Sequence, residues 1–258
     1  MNQGTAIAPG NNILLKTFLV ISLLLSFTSC SGQEKVSTKN FDEITLVNHI
    51  QFHNNKYDQQ KFSCGFLLEA NNDTFAVTAK HLLKVIKPQE MKALLFEGMV
   101  KQWSMYPLNK KEEMVVMDKL LNQSKAELLD SKATYENDWL VFSVKKNYSK
   151  VKPLQLRTSA LQPGEKLYVV GWTRTMEDGP QRVYEFEYYK TIANRILLKD
   201  VIAPEKFGGL SGAPLVDAQG LVVGIVSNGT TDPDSNKKYF SPCALVSLAS
   251  FLNNSKQK

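Results

Sequence analysis

From residue 41 onward the apolar positions come in short runs separated by glycine, proline, asparagine and aspartate, a rhythm that predicts β-strands. Residues 41–47 open the series. Residues 62–69 and 75–78 read as a hairpin, because Ala70-Asn71-Asn72-Asp73 supplies residues that tolerate left-handed backbone angles. Further strands are predicted over 92–96, 102–106 and 139–144, whereas 112–129 has a mixed periodicity that fits a helix or a long surface insertion. A turn at Gln162-Pro163-Gly164-Glu165 precedes 167–172, and 184–189, 195–201, 213–216, 221–226 and 238–241 complete the strands. Residues 245–252 predict a short closing helix. Many short strands, few helices and no βαβ alternation indicate an all-β barrel or sandwich.

The start of the chain breaks this rhythm. Lys16 is followed by an apolar run over 17–27 and then by Thr28-Ser29-Cys30-Ser31-Gly32. The run is too short to cross a bilayer comfortably and fits the hydrophobic region of a secretory signal. Residues 1–29 are therefore read as a signal peptide and 30–40 as a polar linker. Ordinary cleavage near Ser29, or retention as an N-terminal anchor, are the alternatives to lipid attachment at Cys30.

Composition narrows the picture further. The 258 residues are 43% hydrophobic and 22% charged, which suits a globular chain with one large core or two small adjoining ones. The net charge of +6 is dispersed without an aromatic-basic stripe, so nucleic acid is not an expected partner. With Cys30 set aside, only Cys64 and Cys243 remain; they either pair in an oxidising compartment or stand as small buried hydrophobes.

Three segments carry candidate chemistry. Gly209-Leu210-Ser211-Gly212-Ala213-Pro214 presents a serine between glycines, a way to expose a hydroxyl beside bare backbone N–H groups. Upstream lie Val77-Thr78-Ala79-Lys80-His81 and Asn137-Asp138-Trp139-Leu140-Val141-Phe142, so His, Asp and Ser occur in that order beside apolar strands. A serine hydroxyl needs an adjacent base, an imidazole titrates near neutrality, and a buried carboxylate can orient that imidazole. His49 and His53 sit in a polar segment and read as solvated; so do Asp130 and Glu136, the competitors of Asp138. Lys80 is expected to point outward. No metal or nucleotide motif is visible, and the chemistry needs no cofactor.

These blocks, with Gly224-Ile225-Val226-Ser227-Asn228-Gly229, resemble trypsin/chymotrypsin-like serine peptidases in their compact bacterial form, over roughly residues 41–253. The resemblance implies two antiparallel β-barrels, 41–150 and 151–258 with the closing helix, and an active site in the cleft between them. It implies a serine endopeptidase working through an acyl-enzyme, with Ser211 as nucleophile, His81 as base and acid, and Asp138 as its orienter. Gly209 and Ser211 N–H groups would form the oxyanion hole. Ser227, Asn228 and Gly229 would pair with an extended polypeptide substrate, and Glu205 falls where trypsin-type enzymes carry a pocket-floor acid; an ordinary exposed Glu is the other reading. Asp232 and Asp234 either reach the pocket or make a polar turn. A catalytically unproductive binding protein on the same fold, or an esterase using the same site, are the alternatives. Two departures matter: Leu210 stands where zymogen-activated relatives have Asp, which implies no such activation, and Leu82 follows His81, so the familiar disulfide partner of Cys64 is absent. Cys30 resembles the lipidated cysteine of bacterial lipoproteins, implying a lipid-anchored protein of the cell envelope, on the periplasmic side or the cell surface, held to the membrane surface with no spanning helix.

Overall fold

Seventeen short strands form three sheets in the computed structural model, which describes residues 36–255 together with Met1. The targeting segment and Cys30 lie outside the described residues. The first half supplies β1 (Leu46–Phe52), β2 (Gln59–Ala70), β3 (Asp73–Thr78), β4 (Ala93–Leu94), β5 (Val100–Tyr106), β6 (Val115–Leu120), β7 (Ser124–Leu128), β8 (Leu140–Asn147) and β9 (Leu154–Gln155). The second supplies β10 (Lys166–Gly171), β11 (Arg182–Ile192), β12 (Arg195–Ile202), β13 (Pro214–Val216), β14 (Val222–Ile225), β15 (Gly229–Thr231), β16 (Lys238–Phe240) and β17 (Cys243–Ala244). A one-turn helix, α1 (Leu83–Ile86), follows β3, and α2 (Val246–Ser255) closes the chain.

The order β1-β5-β6-β8-β3-β2 returns on itself through β1–β2 pairing, and β11-β10-β13-β14-β17-β12 does the same through β11–β12. The protein is thus two closed six-stranded antiparallel barrels and a short C-terminal helix. The β1–β2 and β11–β12 pairings that close each barrel carry register shifts, and local irregularity of this kind adds the twist that closure requires. The first sheet gains β9, parallel to β2, and Leu156 then bridges to Val222 of the second barrel.

Residues 64–68 of β2 are buried on both faces, so hydrophobicity there is continuous rather than alternating. Leu67 faces the first barrel's interior with Ala76, Leu140 and Phe142. Phe66 and Leu68 face the other way, into a core shared with Val170, Val216 and Ile225 of the second barrel and with Leu248 of α2. The shared apolar core is what docks one barrel on the other.

Three expectations change. Residues 112–129 form β6 and β7 with a single 3-10 turn, no α-helix: Val115, Met117 and Leu120 are buried, while the register slips between Met117 and Leu120 and hides the two-residue period. The first strand is Leu46–Phe52 rather than 41–47, and His49 lies on it. Lys80 turns inward at 2% exposure instead of outward, because Glu127 pairs with its ammonium and the Thr134 carbonyl accepts a hydrogen bond from it at 3.0 Å.

Asn48, fully buried on β1, ties the strands together. Its Nδ2 donates to the carbonyls of Phe62 and Cys64 at 3.0 and 2.9 Å, and its Oδ1 accepts from Trp103 Nε1 at 2.9 Å. Asn48→Ala leaves the buried Trp103 indole N–H without its acceptor and takes a donor from the Phe62 and Cys64 carbonyls, at about 1–3 kcal/mol for each group left unsatisfied. Urea unfolding of the variant is expected to show a loss of at least about 2 kcal/mol; a midpoint equal to wild type would contradict the network's role.

Candidate active site

His81 and Asp138 come from the first barrel and Ser211 from the second. His81 sits in a 3-10 turn at the end of β3, Asp138 just before β8, and these two strands are paired, with Thr78 opposite Leu140. Asp138 is fully buried. Its Oδ2 accepts from His81 Nδ1 at 2.6 Å and its Oδ1 from the His81 backbone N–H at 2.7 Å, so one carboxylate fixes both the ring and the main chain of the histidine. That bond assigns the ring proton to Nδ1, which leaves Nε2 to accept from Ser211 Oγ at 2.8 Å.

The turn bearing Ser211 is stitched to both barrels. Cys64 N–H of β2 donates to the Ser211 carbonyl at 2.9 Å, and Gly212 N–H donates to the Val226 carbonyl at 3.0 Å. Gly212 has φ 85°, and a Cβ there would lie 2.1 Å from the Cys64 carbonyl oxygen; only glycine fits. Gly209 has φ 101°, and its would-be Cβ meets Arg174 N at 2.3 Å. The N–H groups of Gly209 and Ser211 donate to no other protein group among the described residues, so both are free to bind an oxyanion. Leu210 between them is fully buried in the second barrel's core with Leu167, Trp172 and Leu215. Phe207, a few residues upstream, packs against Phe240 of β16 in a tilted arrangement with centroids 4.5 Å apart, and Phe240 lies 5.0 Å from Phe186 of β11.

Ser227 is also brought to the site: its hydroxyl donates to Asp138 Oδ2. Asn228 and Gly229 are exposed, and β15, which begins at Gly229, is the terminal strand of its sheet. Its outer edge is open to an added strand. Glu205 is exposed in the bend after β12 and is not drawn into the hydrogen-bonded cluster. Cys64 and Cys243 are buried free thiols, each pushed up by burial, Cys64 to about 12.

Four contributors escaped sequence reasoning. Asn48, Arg195, Glu127 and the inward Lys80 are polar residues whose partners lie far away along the chain, and nothing local marks them. Thr78, by contrast, belongs to the motif around His81; its hydroxyl donates to the Cys64 carbonyl at 2.7 Å.

The double barrel, with this Ser-His-Asp arrangement drawn from both halves, has the architecture of the trypsin-like serine protease class. The family model "Trypsin" matches residues 42–252, and the chain belongs to that family. No curated protein matches it in sequence. Among solved structures it is similar to one described as GrC, at 19% identity and TM-score 0.58, covering 86% of this chain and 98% of that one. Mouse neuropsin, a serine protease expressed in the limbic system of the brain, is 16% identical with TM-score 0.57, covering 83% and 94%. A Glu endopeptidase in complex with MPD is 15% identical with TM-score 0.58, covering 88% and 99%.

The β15–β16 hairpin is anchored at its tip. Lys190 of β11 pairs with Asp232 at 2.7 Å and Asp234 at 2.6 Å, and Ser235 Oγ donates to Asp232 at 2.6 Å. These residues make a polar turn. The Lys190 ammonium, then the Ser235 hydroxyl, hold the Asp232 carboxyl down at about 2 from its ordinary 3.8. Because the folded value lies below the unfolded one, this stabilisation is present above about pH 4 and is lost as pH falls towards 2. Lys190→Met is expected to be less stable than wild type at pH 7, with the difference in urea midpoint closing between pH 4 and 2; a pH-independent difference would refute the linkage.

Proposed function

We propose that the protein is a serine endopeptidase of the bacterial cell envelope, lipid-anchored through Cys30 on the periplasmic side or the cell surface. The observation that carries the reading is the unbroken hydrogen-bonded line from Ser211 Oγ through His81 to buried Asp138. His81 Nε2 takes the Ser211 proton as Oγ attacks the scissile carbonyl, and Asp138 stabilises the imidazolium that forms. The carbonyl oxygen, now negative, is met by Gly209 and Ser211 N–H groups, each such donor contributing about 10²–10³ in rate. Collapse of the intermediate breaks the C–N bond, with His81 returning the proton to the leaving amine. Water then repeats the sequence on the acyl-enzyme.

The substrate is polypeptide laid as an extended strand along Ser227, Asn228 and Gly229, continuing the open edge of β15. Main-chain pairing of this kind serves a peptide better than a small ester. Glu205, exposed outside the cluster, supplies no basis for selecting Lys or Arg.

The test treats the full-length chain, in detergent, with a fluorophosphonate and reads intact mass. One adduct is expected on wild type and none on His81→Ala or Ser211→Ala; no adduct on a folded wild type would sink the reading. Metabolic labelling with a fatty-acid analogue is expected to mark the wild type and not Cys30→Ala, and an unlabelled wild type would rule out this anchor.

A further inference from the structure

Arg195 opens β12 of the second barrel, beside Cys243 of β17, and its guanidinium has no carboxylate in direct contact among the described residues. Nη1 donates to Ser227 Oγ at 2.6 Å and Nη2 to the Tyr135 carbonyl at 2.6 Å. Both recipients lead to Asp138. Tyr135 ends the 3-10 turn that precedes it, and Ser227 touches its Oδ2. The adjoining Asn194 adds a second grip on the same loop, its Nδ2 donating to the Glu136 carbonyl and to Asn137 Oδ1.

A guanidinium can only donate, and a serine hydroxyl has one proton. With Nη1 donating to it, Ser227 Oγ must accept there, and its single proton is directed to Asp138. The cation therefore fixes the sense of the hydrogen bond that Asp138 receives on the oxygen that also holds His81 Nδ1. Removing it frees the hydroxyl to rotate and takes away one of the two grips on the loop that carries the aspartate.

We propose that Arg195 is a positioning residue of the active site, acting on Asp138 through the Ser227 hydroxyl and the Tyr135 carbonyl from across the barrel interface. This rests on the reading of Ser211, His81 and Asp138 as a working triad. Arg195 touches no reacting atom, so its loss is felt in the chemical step and not in the binding of a reagent that approaches Ser211 from the cleft. Arginine is required for its fork: two donors reach two acceptors at once, which a lysine ammonium on a narrower head does less well.

The experiment measures fluorophosphonate acylation of the full-length protein in detergent, separating the maximal rate constant from the half-saturating concentration. Arg195→Met is expected to lower the rate constant by about tenfold to a hundredfold while the half-saturating concentration stays within about threefold. Arg195→Lys is expected to recover part of the loss. Ser227→Ala sets the comparison: in that background Arg195→Met is expected to cost clearly less than it does alone, since the two act on one group. Urea unfolding of each variant gives the folded fraction, to which rates are normalised. An Arg195→Met protein that reacts at the wild-type rate per folded molecule overturns the inference, as does one equally impaired with and without Ser227. A wild type that reacts while Arg195→Met matches it leaves the triad reading standing and removes this one; a folded wild type that does not react removes both.

Discussion

The carboxylate of Asp138 is fully enclosed, and the rest of the site is arranged around that fact. An unpaired buried carboxylate costs several kcal/mol, and it is retained as a charge only where donors surround it. Here three reach it: the His81 backbone N–H, the His81 ring and the Ser227 hydroxyl. Two come from the first barrel and one from the second, so the carboxylate is satisfied only when the barrels are docked. Docking is driven by the apolar core that Phe66, Leu68 and Val77 share with Val170, Val216 and Ile225. Helix α2 reinforces it locally, since Ser247 Oγ accepts from the indole N–H of Trp139, the residue after Asp138, at 3.0 Å. Packing and catalytic geometry are thus one constraint: disturb the shared core and the hydrogen bonds to Asp138 go with it.

The turn before Ser211 shows a different solution to a similar problem. The backbone at Gly209 is held at φ 101°, and its N–H donates to no other protein group among the described residues. Leu210 holds the turn by packing: its side chain is fully buried in the second barrel's core, and Phe207 packs against Phe240 and Phe186. Apolar burial needs no trigger. It stabilises the turn from the moment the barrel folds, at roughly 1.5–3 kcal/mol for a leucine removed from water.

The strand rhythm made much of this legible. Local signals sufficed for the Asn71-Asn72 hairpin, where both residues take positive φ, and for the serine turn, where glycines announce close backbone approach. The His81, Asp138 and Ser211 blocks were legible because each joins a reactive side chain to the end of an apolar strand, and the structure brings all three together. The region 112–129 was not, because Asp118 and Lys119 sit where β6 slips register against β8 and the alternation fails. Lys80, Asn48 and Arg195 were not either: a polar residue beside apolar ones reads as solvated until the distant acceptor is known. Glu205 could not be placed by counting back from Ser211; it is exposed in the bend after β12, as the reading of an ordinary surface Glu has it.

An open sheet edge is ordinarily a hazard, because it invites any extended chain to pair with it. Strand β15 is kept short, at three residues, and its hairpin partner begins with Lys238 after Lys237. The tip is pinned to β11 through Lys190, so the edge cannot swing away from its barrel. What remains exposed is Asn228, Gly229 and the strand they start, immediately after the serine that contacts Asp138. A peptide pairing there, as proposed, would be aligned by its own main chain. On the reading proposed above, the residue whose hydroxyl contacts Asp138 would also be the first of the substrate-pairing segment, which would couple the position of a bound backbone to the orientation of the base.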